Sequence, residues 1–364
     1  MLRILHTEAS TGWGGQEIRI LQESLGMAKR GYHVMIAAER NSGLFTRASR
    51  EGMKVFPMHF RKENPLSVLR MRHLINSEGI DIVNTHSSTD SWVTTVAAKL
   101  SGAKPIIIRT RHLSTPISRS FSSRLIYDVW PDAVMTTGER IRQQMIEVNG
   151  FDGSRIVSVP TGADLARFDP ERVVPCFEKK GFLVGMVSVL RRWKGHEYFL
   201  KAIPEILKVA PKASFLIVGD GPQRENLRKL VSEMALGEKV MMPGHMEHIP
   251  EIMASLDVLV HPSFANEGVP QSILQAFAMK KPVIASDAGA IKEIVIDGET
   301  GFLIAPKDSA RIAEKVIALY ECPEMGRRFG LEGRRRVEKS CSMEVMLDKI
   351  EELYGKVLAS REKK

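Results

Sequence analysis

The sequence predicts an α/β protein of two domains, each a parallel sheet wrapped by helices. Three observations carry this expectation. The 364 residues exceed the size at which a single hydrophobic core stops growing. Short apolar, partly β-branched runs alternate with helically spaced stretches along the whole chain, the pattern of strands joined by crossover helices. Midway, the charged and proline-containing segment GADLARFDPERVVPCFEKKG (162–181) interrupts the alternation and reads as a linker.

In the first half the candidate strands are LRIL, HVMIAA, KVFPM, DIVNTH, PIIIRT, AVMTTG and IVSVP. Between the first two, Ile18, Leu21, Leu25 and Ala28 follow a helical period, and Gly31 stops the helix. The second half supplies FLVGMVSV, SFLIVGDG, KVMMPG, DVLVHPS, PVIAS and GFLIAP. The division is placed at 171/172, giving domains 1–171 and 172–342. In 343–364, Val345, Ile350, Leu353 and Val357 at helical spacing predict a terminal helix packing across both domains.

A hydrophobic content of 43% suits a fully folded chain. Cys176, Cys322 and Cys341 are odd in number and far apart, which argues against a disulfide framework and fits a reducing compartment. The start, MLRILHTEAS, lacks the apolar region of a secretory signal, and the longest apolar run, FLVGMVSVL, is about half the roughly 20 residues a spanning helix needs. A cytoplasmic protein is expected. The net charge is +9, concentrated in 40–73, where Arg40, Arg47, Arg50, Lys54, Arg61, Lys62, Arg70 and Arg72 face only Glu51 and Glu63. Such a balance suits nucleic acid, anionic lipid or an anionic ligand. Without a basic stripe interleaved with aromatics, nucleic acid is set aside.

Parallel sheets bind ligands at the carboxyl ends of their strands, so the loops after strands are where chemistry belongs. In TGWGGQEIRI, Gly12, Gly14 and Gly15 precede a helix starting near Gln16; glycines let backbone approach a ligand, and free N–H groups of a first turn attract anions. A purely structural tight turn is the alternative. In VLRRWKGHEYFL, Arg191, Arg192 and Lys194 follow a strand and suit a diphosphate, with a solvated basic turn as the alternative. In ANEGVPQSILQ, the strand 257–263 leads to Glu267, Gly268 and Val269, and Pro270 suits the first helical turn. The N–H groups of Gln271, Ser272 and Ile273 then form a second anion seat, bracketed by Glu267 and Gln275. His86 and His112, each near a strand end, are candidates for an acid/base or ligand role; His245, His248 and His261 are weaker. No D-x-D, H-E-x-x-H or clustered Cys/His pattern supports a metal.

Together, the stretch from Val240 to Pro306, with GMVSVLRRWKG, VGDGPQRENL, VPTGADLARF, IIIRTRH and the glycine-rich start, resembles the retaining, nucleotide-sugar-dependent glycosyltransferases of family four. The resemblance implies the GT-B fold, two facing Rossmann-like domains with a cleft between them. It also implies transfer of a sugar to an acceptor hydroxyl with retention, with no metal and no cofactor beyond a UDP- or GDP-linked sugar. Glu267 matches the first Glu of the family's E-x7-E motif, which holds donor-sugar hydroxyls. Lys194 matches the residue that neutralises the departing diphosphate, and His112 the one that reaches the reaction centre. Gly14, Gly15, Arg191, Arg192, Gly268, Val269, Pro270, Gln271, Ser272, Ile273, Gln275 and Met246 fall on donor-binding positions. The N-terminal domain reads the acceptor in this family, which directs attention there to His86, Arg61 and Lys62. Two positions depart from the pattern: Gln275 replaces the second Glu, and Val189 stands where an Arg is common. The implied partners are a glycan or glycolipid acceptor, as in lipopolysaccharide assembly, and the anionic inner face of the cytoplasmic membrane. An epimerase or hydrolase of the same fold, or a non-catalytic sugar-nucleotide-binding protein, are the competing readings.

Overall fold

The computed structural model describes residues 1–113, 115–177, 181–265 and 267–362. They divide into two compact units: Met1–Thr161 with the chain from Glu344 onwards, and Gly162–Met343. The first holds β1 (Arg3–Glu8), β2 (His33–Ala38), β3 (Lys54–Pro57), β4 (Ile82–Thr85), β5 (Ile106–Arg111), β6 (Ala133–Thr136) and β7 (Ile156–Ser158). They form one parallel sheet in the order β3-β2-β1-β4-β5-β6-β7. The second holds β8 (Leu183–Val187), β9 (Ser214–Val218), β10 (Val240–Gly244), β11 (Val258–His261), β12 (Val283–Ser286) and β13 (Gly301–Ile304), also parallel, in the order β10-β9-β8-β11-β12-β13.

Each apolar run read from the sequence is thus a strand. The central strands are covered on both faces, which is why they read as continuous rather than alternating apolar stretches: β4, β11 and β12 are buried at every residue. In both sheets the strand order reverses beside the first strand, at β1/β4 and at β8/β11. The loops leaving those strands border the crevice where doubly wound sheets bind ligands.

Three local expectations change. The described part of the segment expected to be a linker, 162–177 and 181, groups with the second unit, so the boundary lies at 161/162 rather than 171/172; residues 178–180 of it lie outside the described residues. Phe168 is 1% exposed, Ala163 is held by backbone bonds to Cys341 and Met343, and the Cys176 and Phe177 N–H groups reach the Ser255 hydroxyl. Helix Gly15–Lys29 buries Ile20, Leu21, Ser24 and Met27 together with Glu17, Arg19 and Glu23, while Ala28 is exposed. Those charges tolerate burial because they are paired or bonded within the fold. The terminal helix, Met343–Glu362, buries Met346, Leu347, Ile350, Leu353 and Tyr354, while Val345 and Val357 are half-buried, and from Glu344 onwards it groups with the first unit. Leu347 lies so close to Gly26 that a Cβ there would meet it at 2.7 Å, and Arg30 is clamped by Glu344, Asp348 and Glu351 at 2.5, 2.8 and 2.6 Å. Among the described residues no helix is long and apolar enough to cross a membrane.

Candidate functional site

In the second unit, the loops leaving β8 and β11 meet. After β8 the chain makes a short 3-10 turn, Arg192–Lys194, and reverses at Gly195 with φ of 79°. A Cβ at Gly195 would stand 2.1 Å from the Pro262 carbonyl oxygen, so only glycine allows this approach. The Trp193 carbonyl accepts from the Phe264 N–H at 2.9 Å, and Lys194 reaches Glu267 with Nζ 2.6 Å from Oε1. The Ser263 hydroxyl lies 2.7 Å from the same carboxylate oxygen and 3.0 Å from the Trp193 carbonyl. Burial pushes the Glu267 carboxyl up, but Lys194, His261 and the Ser263 hydroxyl outweigh it and hold the group below its ordinary range. Glu267 is therefore an anion at neutral pH.

Two histidines border this pair. His261, ending β11, has Nδ1 3.3 Å from the Ser272 hydroxyl; burial and then Lys194 lower its pKa to about 4. His196, 3.1 Å from the Ser188 hydroxyl, is lowered to about 3 by burial and then Lys194. Both are neutral rings beside a cation.

The expected anion seat is narrower than its sequence suggested. Pro270 is the N-cap of helix Gln271–Ala278 rather than part of its first turn, and its carbonyl accepts from the N–H groups of Ile273 and Leu274 at 3.2 and 3.3 Å. That leaves the N–H groups of Gln271 and Ser272 without a partner among the described residues. Gly268 and Gln275 are half-buried beside them, Val269 is 7% exposed, and Met246 packs against the core of this unit. The three cations also separate. Arg191 and Arg192 are exposed and line a groove of about 300 Å³ with His196, Glu197, Gln223 and Asn226, with Arg191 stacked over Trp193.

In the first unit, β1, β4 and β5 bring three histidines into one row. His6 Nδ1 lies 2.9 Å from His86 Nε2, and His86 Nδ1 lies 2.9 Å from His112 Nε2. His86, expected to touch the acceptor, is 2% exposed with both ring nitrogens engaged, so it has no atom to offer a substrate. His112 is half-buried at the outer end of the row. At the end of β1, Glu8 accepts from the Ser10 N–H and from Gln16; burial and the neighbouring Asp90 raise its pKa to about 7. Gly14 caps the helix that begins at Gly15, and its N–H is taken by the Glu17 carboxylate at 2.9 Å. This helix start already carries its own negative charge, which opposes a bound anion there.

Arg61 and Lys62 are exposed; Lys62, with Nζ 3.0 Å from the Ser88 hydroxyl, borders with Glu63 an apolar groove of about 510 Å³ lined by Pro65, Val68, Leu69 and Trp92, and Arg61 is not among its lining residues. Of the basic stretch around them, Lys54 is paired with Glu78 at 2.6 Å and Arg47 lies over the Trp13 ring. Among the described residues no group of three or more His, Cys, Asp or Glu side chains is arranged to hold a metal ion. Sequence reasoning missed His6, Arg19 and Glu23, and underrated His261. Their only signal was polar residues on otherwise apolar strands and a helix face, which gains meaning once strand order is known.

Comparison with known proteins matches residues 13–167 to the family model described as Glycosyltransferase Family 4, and residues 168–336 to that described as Glycosyl transferases group 1. A GDP-mannose-dependent alpha-(1-6)-phosphatidylinositol monomannoside mannosyltransferase from Mycolicibacterium smegmatis is 26% identical over 309 residues, 79% of this chain and 80% of its own. A UDP-Gal:alpha-D-GlcNAc-diphosphoundecaprenol alpha-1,3-galactosyltransferase from Escherichia coli is 27% identical over 308 residues, 79% of this chain and 78% of its own. Among solved structures, a glycosyltransferase from Rickettsia africae superposes with a TM-score of 0.87 at 22% identity, covering 98% of each chain.

Proposed function

The chain belongs to the group 1, family four glycosyltransferases and has their GT-B fold, and from that premise we propose that it moves a sugar from a nucleotide diphosphate to an acceptor hydroxyl with retention and without a metal ion. The observation that supports this most is the Lys194–Glu267 pair at the reversal point of the second sheet. As the glycosidic bond breaks, negative charge grows on the diphosphate. An ammonium already fixed beside the seat stabilises that charge more than it stabilises the ground state, and this difference is catalysis. Glu267, kept ionised, accepts hydrogen bonds from sugar hydroxyls and fixes the ring. Gln275 accepts from a ribose hydroxyl without charge assistance, a weaker bond than a carboxylate makes.

For the acceptor we propose a lipid-linked glycan in cell-surface assembly, approached at the cytoplasmic face of the membrane. Two relatives are named for phosphatidylinositol and diphosphoundecaprenol acceptors, and Lys62 stands beside an apolar groove. Those relatives name different donors, so the base is tested directly. In a thermal-shift panel of UDP, GDP and ADP, one diphosphate at a hundred times its dissociation constant stabilises by about 2.7 kcal/mol. The matching nucleotide sugar is then expected to stay intact until an acceptor is added. Stabilisation by none of the three would overturn the reading; rapid consumption of donor without acceptor would favour a hydrolase or epimerase.

A further inference from the structure

We propose that His6 and His86 are positioning residues that fix the tautomer of His112, leaving its Nδ1 as a bare acceptor for a substrate hydroxyl. The substrate-facing half of this inference rests on the glycosyltransferase reading above; the tautomer itself does not.

The row holds three rings and two hydrogen bonds. His6 and His86 stack with centroids 5.2 Å apart, and His86 and His112 lie at the same separation with their planes tilted by 36°. Burial, with the nearby guanidinium of Arg19 for His6, lowers that ring's pKa to about 3. His86 and His112 are lowered well below the ordinary value by burial first, with His6, Arg19 and Arg109 adding to it and Arg111 also facing His112. Three neutral rings carry one N–H each, and each link needs one donor and one acceptor. Only two arrangements satisfy both links: every proton points inward along the row or every proton points outward. The tautomers are coupled, and whatever fixes one end fixes the other.

The inner end is fixed by charge. His6 Nε2 has no hydrogen-bond partner among the described residues and faces Glu23 Oε1 at 4.0 Å. Glu23 Oε2 is 3.5 Å from Arg19 Nε, and both side chains are fully buried. Arg19 also donates to the Val159 carbonyl at 2.9 Å and the Thr161 hydroxyl at 3.2 Å. Burial pushes the Glu23 carboxyl up and the Arg19 guanidinium down. An arginine nonetheless keeps its proton, and a buried guanidinium requires its counter-charge, so the pair is ionic at neutral pH. The contact to His6 is too long for a hydrogen bond, but a carboxylate repels a ring lone pair and attracts an N–H. His6 therefore carries its proton on Nε2 and accepts at Nδ1 from His86 Nε2–H. His86 accepts at its own Nδ1 from His112 Nε2–H. The half-buried ring of His112 is left with an unprotonated Nδ1.

Nitrogen-15 spectra of the full-length, histidine-labelled protein at pH 7.5 read the tautomers with no substrate present. Wild type is expected to show His112 with its proton on Nε2 and Nδ1 bare. His6→Phe keeps the stacked ring but removes the acceptor for His86 Nε2–H; the His86 proton moves to Nδ1, where His112 Nε2 accepts it, and His112 inverts to Nδ1–H. Turnover by this variant falls about tenfold to a hundredfold in kcat, with KM for the donor little changed. A wild-type His112 carrying its proton on Nδ1, an even mixture, or no inversion in His6→Phe would overturn the proposal. The wild-type spectrum decides by itself if the variant fails to fold. A protein with the expected tautomers and no transferase activity would sink the functional reading and leave the relay standing.

Discussion

Lys194 and Glu267 set each other's state. With side chains only 18% and 14% exposed, each is the other's counter-charge. Replacing Lys194 by Met leaves a buried carboxylate without its ammonium counter-charge, which costs on the order of 3 kcal/mol at pH 7. It also removes the cation opposite the leaving group, for which a loss of about 10²–10³ in kcat is expected. The pH dependence separates these effects. Glu267 in the folded wild type titrates below its ordinary 4.5, so its contribution to stability is complete above that value and is lost as pH falls through the lower folded value. In Lys194→Met burial is opposed only by His261 and the Ser263 hydroxyl, and the folded pKa of Glu267 rises from its wild-type value. The variant's deficit is then largest at pH 7 and shrinks toward pH 4. Urea midpoints of both proteins across that range check it; a deficit independent of pH would show that the pair contributes packing rather than charge. The roles of Glu267 and Lys194 were suggested by sequence, because each lies in a short motif beside a strand end. The burial of His86 was not, because the rings that cover it come from other strands.

Among the secondary elements, glycines decide how closely backbones approach. Gly195 joins a 3-10 turn to helix His196–Val209, and its replacement by Ala meets both a left-handed φ and the Pro262 carbonyl. Gly333, in helix Pro323–Ser340, lies against Phe277, whose Cδ1 would be 2.3 Å from an added Cβ. Gly237 has nothing within 4 Å and a φ any residue adopts. The expected order of destabilisation is Gly195→Ala at about 2–4 kcal/mol, Gly333→Ala at about 1–3 and Gly237→Ala within about 0.5. Denaturant midpoints at unchanged m measure it. If Gly195→Ala proved as mild as Gly237→Ala, the approach of the β8 loop to Pro262 would not be the constraint described. Gly195 lies in the short segment VLRRWKGHEYFL that follows a strand, but its neighbour Pro262 is far along the chain. For the same reason, helical period alone gave only part of the buried face of Gly15–Lys29: Leu21 is buried as the period expects, but Ala28 is exposed, and Arg19 and Glu23, outside the expected apolar stripe, are buried as a pair.

For the whole molecule, the last helix is the instructive case. Deleting the chain after Met343 strips five core side chains, Met346, Leu347, Ile350, Leu353 and Tyr354, from the first unit while leaving the second unit's own strands and helices intact. The expected outcome is selective. Amide protection in β1, β2 and helix Gly15–Lys29 falls, protection in β8, β9 and β11 persists, and unfolding separates into two transitions. Hydrogen exchange on the truncated chain reads this directly, and an equal loss in both units would refute it.

What the sequence determined alone was the pair of parallel sheets, because strand and helix periods are local and survive without knowledge of any partner. It also placed Lys194, Glu267 and the helix after Pro270 in loops that follow strands, by the same local logic. Only the tertiary structure decided which of these groups meet. Lys194 and Glu267 are 73 residues apart and His6 and His86 are 80, and their contacts depend on the order in which strands line up. Strand order, the owner of the terminal helix and the charge pair behind the histidine row are all set by burial that distant segments share, and no window of sequence contains both sides of such a contact.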